Sequence, residues 1–158
     1  QATAYTAPAL DEDMFKALSD DQSHTTSDNP FTPSDNYPNS SYYYSGSVPN
    51  ITYVENGLTI NGNRDIYGIY WVNGDVTVNG NYTIHGIIIC EGNITMNGGG
   101  SPANPNLDGG IIQYGSGNEL SGNGSPVDIH GNNGVFDDLN ATIPNVTVVS
   151  WKETVSAN

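Results

Sequence analysis

The chain has 158 residues, enough for one domain with a real core, and its 19 glycines and 10 tyrosines give a composition of turns and short strands. Only 3 residues are Lys or Arg against 17 acidic ones, so the formal charge is −14, which argues against nucleic acid and anionic membrane surfaces as partners. No run approaches the ~20 apolar residues needed to cross a bilayer, and the lone Cys90 excludes an intrachain disulfide.

The chain begins at Gln1 without Met or a signal peptide and is read as processed, with any leader or anchor removed. Pro8 to Leu18 predicts a helix: Pro stands in the first turn, Asp11, Glu12 and Asp13 follow early, and Lys16 comes late. Leu10, Met14, Ala17 and Leu18 share one face, which either closes the first unit of the repeat that follows or docks on another subunit. Residues 19–46, rich in Ser, Asp, Pro and Tyr, predict an irregular arm. Residues 1–49 are therefore expected to form a capping helix and arm, and 50–158 a repetitive β-domain.

Self-comparison reveals that repeat. Leu58-Thr59-Ile60-Asn61-Gly62-Asn63 returns as Val76-Thr77-Val78-Asn79-Gly80-Asn81, and again as Ile94-Thr95-Met96-Asn97-Gly98, at a spacing of eighteen. Ile66-Tyr67-Gly68-Ile69 returns as Ile84-His85-Gly86-Ile87 at the same interval. A hairpin meander has no reason to place identical turns in identical order, whereas stacked coils do, so the expected fold is all-β: a right-handed parallel β-helix of about eighteen residues per coil with the N-terminal helix as its cap. Leu58, Ile60, Val76, Val78, Ile94 and Met96 should point inward and Thr59, Thr77 and Thr95 outward. Asn61, Asn79 and Asn97 should form an amide ladder at a corner where Gly62, Gly80 and Gly98 supply a positive φ. Residues 99–106 read as a loop, after which Gly110-Ile111-Ile112 and Ile129-His130-Gly131 resume the pattern, and residues 143–155 predict a final strand or two near Trp151.

The run Gly68-Ile69-Tyr70-Trp71-Val72-Asn73-Gly74-Asp75-Val76-Thr77-Val78-Asn79-Gly80-Asn81, the Ile84-His85-Gly86 that follows, and Val148-Val149-Ser150-Trp151-Lys152-Glu153 resemble the β-helical domain of PilX-like (prepilin-like) type IV pilus-assembly proteins. The resemblance covers residues 50 to 155 and implies a non-enzymatic extracellular domain carried on a pilus-like structure. It brings no catalytic residues.

Catalytic chemistry is poorly represented. Lyases and hydrolases built on such repeats need a basic centre or paired carboxylates, yet Arg64 is the only arginine, with Lys16 in the expected helix and Lys152 near the end. Asp137 and Asp138 form the best acidic pair, read as solvated turn residues with structural Ca²⁺ as the alternative; no other cofactor is expected, and Asp65 and Asp75 read as turn residues too. His85 and His130 hold equivalent repeat positions and predict, with Tyr67, an outward ladder rather than a zinc site. Cys90 reads as a small buried thiol. The single threonine row is too short for lattice matching such as ice binding.

The stretches Ile69 to Val72, Ile87 to Cys90 and Ile111 to Tyr114 are apolar on both alternating faces. One face fills the core; the other, holding Ile69, Trp71, Ile87 and Ile89, needs cover from the arm, the terminal strand or a neighbouring subunit. With Tyr42, Tyr43 and Tyr44, which pair apolar area with a polar tip, these residues make the expected assembly surface. Asn39, Asn50, Asn123, Asn140 and Asn145 head Asn-x-Ser/Thr sequons and are candidate glycosylation sites. The sequence thus points to a structural or adhesive component of an extracellular surface filament, self-associating or joining other filament subunits. A carbohydrate-binding or carbohydrate-cleaving protein with a surface glycan as partner is the alternative.

Overall fold

A computed structural model describes residues 10–97, 106–114, 129–131, 134, 137 and 138. The helix α1 spans Glu12–Asp21, later at both ends than residues 8–18. Its start is set by Asp11, whose carboxylate accepts the Met14 N–H at 3.2 Å, an N-cap followed by Glu12 and Asp13 at the positive end of the helix dipole. It runs past Leu18 because Ser19 and Gln22 continue the buried stripe of Phe15 and Leu18 at i+4 and i+7, and the Gln22 N–H closes on the Leu18 carbonyl at 3.2 Å.

Eleven strands follow: β1 Thr25–Thr26, β2 Tyr43–Ser45, β3 Val48–Pro49, β4 Ile51–Val54, β5 Leu58–Asn61, β6 Arg64–Val72, β7 Val76–Asn79, β8 Tyr82–Cys90, β9 Ile94–Asn97, β10 Leu107–Gln113 and β11 Ile129–Gly131. A six-stranded sheet has the order β1-β4-β6-β8-β10-β11, a three-stranded sheet the order β5-β7-β9, and β2 pairs only with β3. Every pairing in the two larger sheets is parallel. The eighteen-residue period is the register itself: Leu58 pairs with Val76 and Val76 with Ile94, while Gly68 pairs with Gly86. Beyond β8 the interval widens, so that Gly86 lies against Gly109 and Ile89 against Ile112.

Side chains from the facing surfaces of both sheets build the main core. Leu58, Ile60, Val76, Val78, Ile94 and Met96 meet Ile66, Tyr70, Val72, Ile84, Ile88 and Cys90, and each buried Ile or Val contributes roughly 1.5–3 kcal/mol. The expected amide ladder is present: Asn79 Nδ2 donates to Asn61 Oδ1 at 3.0 Å, and Asn97 Nδ2 to Asn79 Oδ1. Gly62 and Gly80 hold positive φ beside it, at 80° and 93°. A second glycine column, Gly68, Gly86 and Gly109, crosses the middle of the long strands, where successive backbones approach so closely that a Cβ on Gly86 would collide with the Gly68 carbonyl oxygen.

The expectation of a right-handed parallel β-helix with a helical end cap is corrected. The strands divide between separate sheets that neither curl nor close into a solenoid, and α1 packs on the larger sheet at β4, with Phe15 reaching Trp71 of β6. An eighteen-residue period dictates that strands stack in register; it does not dictate that each unit closes on itself. The second apolar face of the larger sheet supplies the physical reason, because a solenoid would expose it to water, whereas here a helix covers it and the chain becomes layered: helix, parallel sheet, parallel sheet. The arm joins the sheets too. Phe31 bridges to Leu58 and Tyr37 to Ile66, each with parallel geometry, so residues 25–37 follow the N-terminal edge of both sheets.

Candidate interaction surface

The four strand residues expected on an assembly surface lie inside the protein. Ile69, Trp71, Ile87 and Ile89 are buried in a cluster with Phe15, Ile51, Tyr53 and Ile112, flanked by Leu10, Met14 and Leu18. The Phe15 ring sits 5.1 Å from Trp71, and Tyr114 stacks on the same indole at 6.0 Å. Among the described residues the cover comes from α1, with Tyr42 of the arm and Tyr114 packed beside it. These four residues are therefore buried, with Trp71 against Phe15 of the helix, and are corrected as surface.

Two buried polar side chains, Ser19 of α1 and its C-cap Gln22, reinforce that cover, and the sequence reading missed both. Gln22 Oε1 accepts the Ile51 N–H at 2.7 Å while its Nε2 donates to the Pro49 carbonyl at 3.0 Å; Ser19 Oγ accepts the Tyr53 N–H at 2.9 Å and the Thr25 hydroxyl at 3.0 Å. The helix thus supplies hydrogen bonds that a neighbouring strand would otherwise give to β4. Their place on the Phe15 and Leu18 stripe was the available signal.

The tyrosine run fares differently. Ser41 Oγ accepts the Tyr43 N–H at 3.1 Å, and Gly46, at φ 52°, turns the chain from β2 into β3. Tyr42 packs half-buried against the helix-side cluster, and burial, with Asp138 adding to it, pushes its phenol well up from the usual tyrosine value. Tyr43 meets Tyr42 edge-on at 5.0 Å and donates to Asp138 Oδ2 at 3.0 Å, and this hydrogen bond raises its phenol too. Tyr44 lies edge-on to His24 at 5.7 Å, an imidazole whose pKa is lowered chiefly by burial. The large apolar side chains that remain exposed among the described residues are Tyr43 (41%), Tyr44 (46%) and Val48 (44%), all on this hairpin.

The outward ladder forms around His85. Tyr67 stacks on it at 4.5 Å with 13° between ring planes, and the imidazole stands between Asp65, 3.7 Å from Nε2, and Asp108, 3.9 Å from Nδ1. Backbone register continues the row from Asp108 to His130. The sequence reads Asp65 as a turn acid and is silent on Asp108, which alignment of the widened repeat puts beside His85.

Asp138 is engaged by Tyr43, and Asp137 is exposed; among the described residues no group of three or more His, Cys, Asp or Glu side chains gathers as metal ligands. Asn50 is corrected as a glycan acceptor: it is fully buried, and its Nδ2 donates to the Ser41 carbonyl at 2.6 Å and to Asn39 Oδ1 at 2.9 Å. Asn39 is exposed. Asn123, Asn140, Asn145, the Val148 to Glu153 motif and the expected strand at 143–155 lie outside the described residues. Cys90 is buried with its thiol directed at the Gly74 carbonyl, and burial pushes it up to about 11.

Both described basic residues serve the architecture. Lys16 pairs with Glu55 at 3.1 Å, and Arg64 donates to the Pro33 carbonyl, fastening the arm. No protein-family model, curated protein or solved structure matches the chain.

Proposed function

We propose that this chain is a non-catalytic structural or adhesive domain of an extracellular surface filament or pilus-like appendage, and that it meets neighbouring subunits through the β2–β3 hairpin. The observation that carries this reading is the gathering of Tyr43, Tyr44 and Val48 on one two-stranded hairpin while the apolar faces of the larger sheets are buried. Tyrosines of this kind supply contact area at small cost in side-chain entropy, and β2 has an unpaired edge among the described strands, suited to edge-to-edge pairing with a second copy. The pilus side of the reading rests on the resemblance carried by Gly68 to Asn81, and its non-catalytic side gains support from the structural employment of Lys16 and Arg64.

Light scattering and negative-stain electron microscopy of the full chain test it, beside a Tyr43→Ser, Tyr44→Ser double variant. Concentration-dependent oligomers or filaments that the double variant fails to form are expected. A monomer at every concentration, or assembly indifferent to the substitutions, would overturn the hairpin as the contact.

A further inference from the structure

A solvent-open cleft of about 380 Å³ lies on the outer face of the three-stranded sheet, and none of the hairpin residues lines it. Its floor is the aligned pair Thr59 and Thr77, adjacent in the parallel register of β5 and β7. The turns after β4 and β6 bring Asn56, Asn73 and Asp75 to one side, and Asn29 with Pro30 from the arm forms another.

The walls are built, not incidental. Asn56 Nδ2 holds the arm by donating to the Ser27 carbonyl at 2.8 Å, and Phe31 bonds to the strand on both sides, its N–H to the Gly57 carbonyl at 2.8 Å and its carbonyl to the Thr59 N–H at 2.9 Å. Asp75 Oδ1 accepts the Asn93 N–H at 2.8 Å, which orients the carboxylate. Gly74 is required because a Cβ there would strike the Asn56 carbonyl of the turn beneath.

The lining chemistry selects a ligand class. Hydroxyls, carboxamides and one carboxylate offer both donors and acceptors, the arrangement that pairs with vicinal hydroxyls. No Lys, Arg or His lines the cleft, so an anionic ligand would meet only Asp75 and a net charge of −14. Pro30 is its sole sizeable apolar side chain, too little for a lipid or an aromatic ligand. We infer that this cleft between the arm and the β5–β7 face binds a neutral, hydroxyl-rich ligand of mono- to disaccharide size, with Thr59, Thr77 and Asp75 as its principal hydrogen-bonding groups. This inference stands independently of the hairpin contact.

The test is amide chemical-shift titration of the full chain with glucose, galactose, mannose, N-acetylglucosamine, lactose and cellobiose, each alone. At least one sugar should give saturable shifts centred on Asn56, Thr59, Asn73, Asp75 and Thr77. Thr77→Val keeps the β-branched shape of the strand, and Asp75→Asn keeps the acceptor for the Asn93 N–H, so both should fold. Each should weaken binding by roughly fivefold or more, since a hydrogen bond to the ligand, charge-assisted at Asp75, is lost, whereas Thr95→Val, in the same threonine row but outside the cleft, should leave it unchanged. No saturable shift with any of the six sugars, equal affinity in all three variants, or the same shifts produced by Ca²⁺ alone with no further change on adding sugar would overturn it.

Discussion

The long strands β6 and β8 each contain two regions that meet at a glycine, and the two could hardly differ more. Before Gly68 and Gly86, only one side of the strand is buried: Ile66 and Ile84 face the core while Tyr67 and His85 face outward among carboxylates. After them, every residue from Ile69 to Val72 and from Ile87 to Cys90 is buried, half between the two sheets and half in the cluster that Phe15 of α1 joins. The same strand is thus an ordinary half-solvated element for one stretch and the middle layer of a sandwich for the next. The difference teaches that α1 is not an accessory to a repeat; with Tyr42 and Tyr114 it packs over the apolar second face of these strands.

The glycine column where the two regions meet is the most sensitive place to break that arrangement. Gly86→Ala drives a methyl group into the Gly68 carbonyl oxygen at a backbone φ of 149°, and a loss of at least about 4 kcal/mol, enough to prevent folding, is expected in circular dichroism and urea melts. Gly131→Ala, one rung beyond Gly109 in the same column, meets no described atom within 4 Å and should be tolerated. If the two variants unfold alike, close backbone approach is not what demands glycine here.

Removing the helix side of the second region comes next. Phe15→Ala opens a cavity against Trp71, and a destabilisation of about 3–5 kcal/mol is expected, with faster hydrogen exchange in α1 before the sheets. A loss below 1 kcal/mol would mean that the helix is not the cover of that face.

Alkaline titration probes both regions together. Burial, with a hydrogen bond to Glu12, pushes the Tyr53 phenol up to about 12, and Tyr37, Tyr42, Tyr67, Tyr70 and Tyr82 are likewise raised chiefly by burial. A phenol that keeps its proton longer in the folded state stabilises that state fully below the unfolded value near 10. That contribution is then lost as pH rises toward 12 and beyond, because the unfolded chain binds fewer protons in this window. Phenolate absorbance and circular dichroism followed together should show cooperative unfolding within it. Tyrosines titrating smoothly at ordinary values with the fold intact would contradict their burial.

The smallest effect lies at the strand ends. Asn79→Ala removes the central rung of the amide ladder, which both donates to Asn61 and accepts from Asn97, and should cost about 1–2 kcal/mol in a urea melt. An unchanged midpoint would reduce the ladder to solvated surface.

Much of the stacking was legible in the sequence, because a fixed spacing of Leu-Thr-Ile-Asn-Gly segments translates directly into register, and Asn61, Asn79, Gly62 and Gly80 each stand where that spacing puts them. Closure was not legible, since periodicity says which residues lie above one another and is silent on how far each unit bends. The cover was misread for a related reason: Ile69 and Trp71 announce that something must lie on them, but Phe15, Ser19 and Gln22 look on paper like a short helix running into a polar arm. Recognising it required placing Ser19 and Gln22, two polar residues, on an apolar stripe. Of the expected contact residues, Tyr43 and Tyr44 are exposed because they occupy a hairpin outside the layered body, and no local feature of their sequence distinguishes them from the half-buried Tyr42.

The way Ser19 and Gln22 satisfy the backbone of β4 gives the molecule a fixed beginning. With the helix, Thr25–Thr26 and the proline-bearing arm occupying that side, no further rung can be laid against β4 without dismantling them. One copied eighteen-residue unit inserted further along the chain would lengthen each of the two parallel sheets by one strand and leave this sealed margin untouched.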